Sequence, residues 1–248
     1  GMLGDRNYSL IDQTNNKIAS AKYPKKWAKI LELSAEFLEQ PSLEGKLPPV
    51  RITSSDGLDI LSTDQNVDTF ISEFVGRPVK LTTARPVKMS LERLDPLEDE
   101  ETILDIGDIM SKTKFSDYAD VHLLTTASLQ ALSEISPDQN FDVKRFRPNL
   151  VIKTESGLDG FVENDWIGKT IVIGESVRLN ITDPTPRCAI PTLGNGELPD
   201  DPKVLKTIVE HNMREVPYLE NKALPCIGNY AFLVQDGMIS INDPVWIE

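Results

Sequence analysis

The second half of the chain is cut into short apolar runs, each bounded by turn-forming residues. Val121-His122-Leu123-Leu124-Thr125, Leu150-Val151-Ile152, Thr170-Ile171-Val172-Ile173 and Val177-Arg178-Leu179-Asn180-Ile181 are four of them. Runs of this kind, rich in β-branched residues, form strands. Gly174-Glu175 between the last two predicts a hairpin. Gln235-Asp236-Gly237 predicts another, joining residues 230–234 to 238–241, and residues 243–247 read as a closing strand. Helical spacing is limited here to the segment opening at Thr126-Ala127-Ser128, with Leu129, Leu132 and Ile135 on one face, and to residues 205–213. Many short strands with few helices argue for a barrel over a parallel α/β sheet. The expected fold class is mainly β with a few helices (α+β).

The first half reads as a separate module. Residues 8–12 and 18–21 are strand candidates around an Asn15-Asn16 turn, and Val50-Arg51-Ile52 runs into the turn at Asp56-Gly57. Residues 67–75 carry Val67, Phe70, Ile71 and Phe74 at helical spacing, and Gly76 stops the helix before a strand at Pro78-Val79-Lys80-Leu81. Residues 27–37 suit a helical face and an alternating strand equally. The organisation expected is a β-rich N-terminal domain over 1–85, an acidic, weakly patterned connector over 86–114, and a β-barrel domain over 115–248.

Charge narrows the partners. The 248 residues carry 26 Lys and Arg against 39 Asp and Glu, a net charge of −13. That excess opposes sequence-independent nucleic-acid binding and docking on anionic membranes. It leaves room for one small anionic ligand gathered by a few arginines. Two cysteines exclude a disulfide scaffold. With no apolar run of membrane-spanning length and no signal-peptide pattern at the start, the expected compartment is the cytoplasm.

Four segments could carry chemistry. In Thr182-Asp183-Pro184-Thr185-Pro186-Arg187-Cys188, prolines stiffen the approach to a thiol beside a guanidinium, and a neighbouring positive charge favours the thiolate. A thiolate is a soft metal ligand or a persulfide carrier; the plain alternative is a packed cysteine. In Lys144-Arg145-Phe146-Arg147-Pro148-Asn149, an extended backbone would turn Arg145, Arg147 and Asn149 to one side as a fork for phosphate; otherwise it is a basic strand edge. Gly4-Asp5-Arg6 is a turn with an arginine. Thr125-Thr126-Ala127-Ser128 opens a helix, where hydroxyls cap the backbone or help hold an anion. His122 and His211 form no zinc pattern, and Cys226 reads as packing.

In order and spacing, these segments resemble the MOSC family, named for the C-terminal domain of molybdenum cofactor sulfurase. The matching pieces are Gly4-Asp5-Arg6, Gly76-Arg77-Pro78-Val79-Lys80-Leu81, residues 121–129, residues 145–152, Glu163-Asn164-Asp165-Trp166-Ile167-Gly168, Arg187-Cys188, Gly228-Asn229-Tyr230 and Asp243-Pro244-Val245. The resemblance implies a MOSC-type β-barrel with a smaller β-rich N-terminal domain, and it makes residues 27–37 largely strand. In amidoxime-reducing members the loop cysteine ligates the molybdenum of the molybdenum cofactor (molybdopterin). By that likeness Cys188 is the metal ligand and catalytic residue. Arg6, Arg147 and Asn149 contact the pterin and its phosphate, with Arg187 and the hydroxyls of Thr126 and Ser128 lining the same pocket. The implied activity is two-electron reduction of small N-hydroxylated compounds. The alternative is a sulfur carrier that holds a persulfide on Cys188.

The family pattern opens with one further strand and a Lys-Ser pair, which this sequence is expected to lack. Without a cysteine cluster after the barrel, electrons are expected from a separate redox partner, or sulfur from a separate donor protein.

Overall fold

Thr125 ends one element and begins the next, and that junction fixes the layout of the second half. The computed structural model describes residues 1–87, 89–94, 101–104, 115, 116 and 118–248. They fall into two compact units: residues 3–117 with 188–200, and residues 1–2 with 118–187 and 201–248. Residues 188–200, inside the interval expected to be barrel, therefore group with the N-terminal unit.

In the N-terminal unit, β1 (Ser9–Asp12) is followed by the short helix α1 (Pro24–Trp27), β2 (Leu33–Phe37), β3 (Val50–Ser54), β4 (Asp59–Leu61), helix α2 (Val67–Val75), β5 (Val79–Thr82), β6 (Leu91–Leu94) and β7 (Glu101–Leu104). Strand β1 pairs antiparallel with β5, and β2, β3 and β4 form a meander. Helix α2 buries Val67, Ile71 and Phe74, three of the four positions that its sequence spacing singles out, together with Val75, while the fourth, Phe70, is 47% exposed. Gly76 ends it at φ 72°, a left-handed conformation that glycine adopts without steric cost. The Ser72 hydroxyl accepts from the Val79 N–H at 2.9 Å and so ties α2 to β5. Trp27, Ile71 and Val79 are at most 2% exposed and centre the core; large side chains buried like this contribute roughly 1.5–3 kcal/mol each.

Two expectations for this unit need correction. Residues 27–37 are neither one helix nor largely strand. Pro24 presets a helical φ, and helical turns continue through Glu32 to bury Trp27 and Leu31, after which β2 begins. The segment expected to be a weakly patterned acidic connector contains two strands, β6 and β7, which pair antiparallel. Glu92 on β6 accepts from Lys17 Nζ at 3.2 Å and Lys26 Nζ at 2.5 Å. The acidic positions 95, 98–100, 105 and 108 lie outside the described residues, apart from the backbone of Glu101.

The second unit contains β8 (Val121–Thr125), α3 (Thr126–Ile135), β9 (Leu150–Ile152), β10 (Thr170–Ile173), β11 (Val177–Pro186), α4 (Lys203–His211), β12 (Met213–Val216), β13 (Lys222–Gln235) and β14 (Val245–Ile247). The sheet runs β14-β10-β11-β13-β8-β9, with β12 added to β13, and curls into a nearly closed barrel. All its pairs are antiparallel except β8 with β9. Val177, Leu179 and Ile181 alternate inward along β11 and meet Leu123, Ile171 and Ala231 in one core. Leu124, Leu132, Phe146, Val204, Ile208 and Ile227 make a second core that fastens α3 and α4 to the sheet. The mainly β, α+β class expected from the turn-punctuated runs is the class observed.

The β10–β11 hairpin forms as expected. The hairpin expected at Gln235-Asp236-Gly237 does not. Residues 238–241 are outside any strand, with Met238 87% and Ile241 94% exposed. Strand β14 instead pairs with β10, through Ile171 with Ile247 and Ile173 with Val245. No helix among the described residues is long and apolar enough to cross a membrane.

Candidate functional site

Strand β8 is the common anchor of the candidate residues in the barrel unit. Its last residue, Thr125, is the N-cap of α3, and the Thr125 hydroxyl oxygen accepts from the Ser128 N–H at 3.2 Å. The same hydroxyl donates to Glu163 Oε2 at 2.6 Å. The Ser128 hydroxyl lies 2.7 and 2.6 Å from Glu163 Oε1 and Oε2 and donates to that carboxylate. Glu163, on the tight turn Val162–Trp166, is 1% exposed, and Thr125 and Ser128 are fully buried. The carboxylate thus stands where the partial positive charge of a helix N-terminus would draw an anion. Asn229 of β13 donates from Nδ2 to the Glu163 backbone carbonyl. Thr126 sits on the less buried side, where its Oγ1 accepts from the Thr154 N–H at 3.0 Å and meets the Thr154 hydroxyl at 3.1 Å.

The basic segment is not an extended strand, and this corrects the three-residue fork. Asp142 accepts from the Lys144 N–H and starts a tight turn over Val143–Arg145. Phe146 is drawn into the core at 1% exposure, and Arg147 then takes a left-handed φ of 53°. Arg145 is 2% exposed, with its Nε donating to the Asn140 carbonyl at 2.8 Å, whereas Arg147 is exposed. Asn149 hooks β8 twice: its N–H donates to the His122 carbonyl at 2.8 Å, and its Oδ1 accepts from the His122 N–H at 2.9 Å. Only after that double hook does β9 begin.

Arg187 comes to the same place from β11. Its N–H donates to the Pro225 carbonyl and its Nη2 to the Phe146 carbonyl, each at 2.8 Å. Its guanidinium also lies over the Phe146 ring, 5.6 Å from the centroid. Arg187, Arg147 and Asn149 are thereby brought to one loop, which β8 links to Thr126 and Ser128. Gly228 permits the close approach of β13 to β8. A Cβ there would stand 2.3 Å from the Leu123 carbonyl oxygen, and its φ of 75° also favours glycine.

Cys188 follows Arg187 directly and is half-buried, the first residue of the 188–200 segment that groups with the N-terminal unit. Cys226 differs from it. Its thiol is fully buried and donates to the Leu224 carbonyl, and burial pushes its pKa up to about 12 against the opposing pull of Arg187 and Arg214. In the N-terminal unit, Gly4 and Arg6 form a turn with φ of 81° and 53°. The Arg6 carbonyl accepts from the Phe115 N–H at 3.0 Å, and its Nε lies 3.7 Å from Asp5. Arg6 and Arg147 are thus two non-glycine residues held left-handed, a conformation that persists only where the surroundings enforce it.

Glu163 and Asn229 are the residues whose part in this arrangement sequence reasoning leaves unassigned. Their signal is an acid and an amide inside two of the matching segments. The barrel unit also holds Tyr118, stacked on Tyr218 at 3.8 Å, with its hydroxyl donating to buried Asp183 at 3.2 Å.

The model of the MOSC domain matches residues 110–246. The chain is 28% identical over 200 residues to a protein named "Molybdenum cofactor sulfurase" from Oryza sativa subsp. japonica, covering 71% of this chain and 23% of that protein. It is 25% identical over 264 residues to "Mitochondrial amidoxime-reducing component 1" from Homo sapiens, covering 100% of this chain and 74% of that protein. The chain therefore spans less than a quarter of the length of the sulfurase and about three quarters of the human protein. With more than half of its residues matched by one family model, on a barrel-shaped sheet, this protein belongs to the MOSC domain family.

Proposed function

We propose that this chain binds the molybdenum cofactor and acts as an oxidoreductase that reduces N-hydroxylated compounds, drawing electrons from a separate donor protein in the cytoplasm. The observation that carries this reading is the pinning of Arg187, the residue before Cys188, to the loop of Arg147 and Asn149. Among the described residues, no three of His, Cys, Asp and Glu gather into a metal site. Cys188 offers one soft ligand. It suits a metal whose other ligands come from an organic cofactor, and in that respect these residues fit the molybdenum cofactor.

In this reading Cys188 holds the metal, and Arg6, Arg147 and Arg187 offset the negative charge of a pterin phosphate. Asn149 supplies amide hydrogen bonding and Thr126 a hydroxyl. Ser128, whose own hydroxyl is taken up by Glu163, fixes the start of α3. When bound, the cofactor supplies the two-electron exchange that converts an N–OH group and two protons to N–H and water. The chain's share is to hold the cofactor through these residues and keep bulk water from the reacting position.

Anaerobic purification from cells that make the cofactor tests this. Stoichiometric molybdenum and pterin are expected, with turnover of N-hydroxylated substrates only when an electron donor is added. Cys188→Ala protein is expected to lose the metal. A second reading, favoured by the likeness to the sulfurase, makes Cys188 a persulfide carrier; cyanide-labile sulfur on Cys188 without molybdenum would select it.

A further inference from the structure

We infer that Glu163 is a positioning residue for cofactor binding, one that sets where the first turn of α3 presents Thr126. This rests on the proposed function and adds a residue to it. Glu163 touches three elements at once. Its carboxylate accepts from Thr125 at the end of β8 and from Ser128 in the first turn of α3, and its backbone carbonyl accepts from Asn229 on β13. All four residues are at most 1% exposed. Among the described residues the carboxylate has no ion-pair partner, so two hydroxyl donors hold it in place. A carboxylate has acceptor sites for both hydroxyls in fixed directions, whereas a glutamine offers one oxygen and sets a donor where the other acceptor stood.

The anchoring reaches further than α3. The strand that ends at Thr125 also carries His122, whose backbone is hooked from both sides by Asn149. Asn229, which grips Glu163, pairs with Leu123 across the β8–β13 ladder. One buried acid therefore fixes the register of the elements that carry Thr126 and Asn149. The Asn229 Oδ1 is a buried acceptor with no partner among the described residues. Such a group marks a place where a donor from water or a ligand belongs.

The test compares full-length Glu163→Gln with Ile173→Val, a core change on β10, which carries none of the candidate residues. Both proteins, and the wild type, are made in cells that supply the cofactor. The readouts are molybdenum and pterin per folded chain, the rate of pterin loss on dilution, and thermal midpoints with and without cofactor. Outer partners of a bound metal group typically contribute about tenfold to a hundredfold in affinity. Glu163→Gln is expected to keep its fold by near-UV circular dichroism yet lose pterin about tenfold faster. Ile173→Val is expected to retain the cofactor as the wild type does. If Glu163 were merely structural, both variants would retain cofactor in line with their midpoints. Wild-type cofactor content and release rate in folded Glu163→Gln would overturn the inference while leaving the proposed function standing. A wild-type protein empty of pterin would overturn the proposed function and this inference with it. Should Glu163→Gln fail to fold, Ser128→Ala removes one of the two donors at smaller cost, and its release rate decides in the same way.

Discussion

Glu92 in the N-terminal unit and Glu163 in the barrel unit are both withdrawn from water, and their neighbours answer them differently. Glu92 lies between two ammonium groups, Lys17 and Lys26, with 16% of its side chain exposed. Glu163 is 1% exposed and meets two hydroxyls. An ion pair near the surface gains from Coulomb attraction but is screened by salt and weakened by hydration. Hydroxyl donors give directional bonds to an ionised acceptor that ions in solution cannot reach. The first arrangement ties strand β6 to its neighbours with tolerance for movement. The second fixes the carboxylate by directional bonds from two elements, which suits the region where the candidate binding residues gather.

Breaking the hydroxyl-held acid should have the largest effect. Glu163→Ala leaves two buried hydroxyls without their acceptor and opens a void, for a loss of about 3–5 kcal/mol. A guanidinium unfolding midpoint at neutral pH measures it, and a loss below about 1 kcal/mol would show that the network is dispensable. Glu163→Gln should cost less, about 1–2 kcal/mol, and in urea the cost should not change between low and high salt.

Glu92→Gln should cost about 1 kcal/mol at low ionic strength, and this difference should shrink as salt is raised. Burial alone would raise the Glu92 pKa, but the hydrogen bonds and charges of Lys26 and Lys17 together hold it below the ordinary carboxylate value. A depressed folded pKa gives stability that is complete above the unfolded value, about 4.3, and is lost as pH falls through the lower folded value. Wild type and Glu92→Gln should therefore converge on acidification. A gap that stayed constant through that range would deny the ion pairs their part.

The smallest expected effect concerns a third acid, Asp183, which accepts from Tyr118. Burial, and then the Asp183 charge, push the Tyr118 pKa up to about 12. A raised folded pKa gives stability that is full below the unfolded value, near 10, and lost as pH rises toward the folded one. Tyr118→Phe should cost about 0.5–1 kcal/mol at pH 7, because buried Asp183 loses a donor, and should flatten the alkaline loss of stability of the wild type. Pressing midpoints from pH 9 to 11 in both proteins checks it, and parallel curves would count against the pair.

Local signals and distant ones were unequally legible. Helix α2, its glycine stop and the β10–β11 hairpin are all encoded within a few residues, and they form as the sequence implies. The fork at Arg145, Arg147 and Asn149 misleads because the core takes Phe146, a demand that comes from Leu124, Leu132 and Ile227. The hairpin expected after Gln235 does not form either: residues 238–241 stay outside any strand, and the chain returns to the sheet only at Val245–Ile247, beside β10. The order of segments revealed the family because it integrates many weak signals. The part played by Glu163 stayed hidden because its partners lie 35, 38 and 66 positions away.

Strand β13 is hydrogen-bonded to β11, β12 and β8, and Asn229 upon it closes the grip on Glu163. On a ribosome this strand emerges well after β8. Until then β8 lacks its neighbour, and the first turn of α3 and the Asn149 hook rest on an unfinished sheet. Any cofactor that depends on them would be loaded only once Asn229 has emerged, and a nascent chain stalled before it would be unable to take the cofactor up.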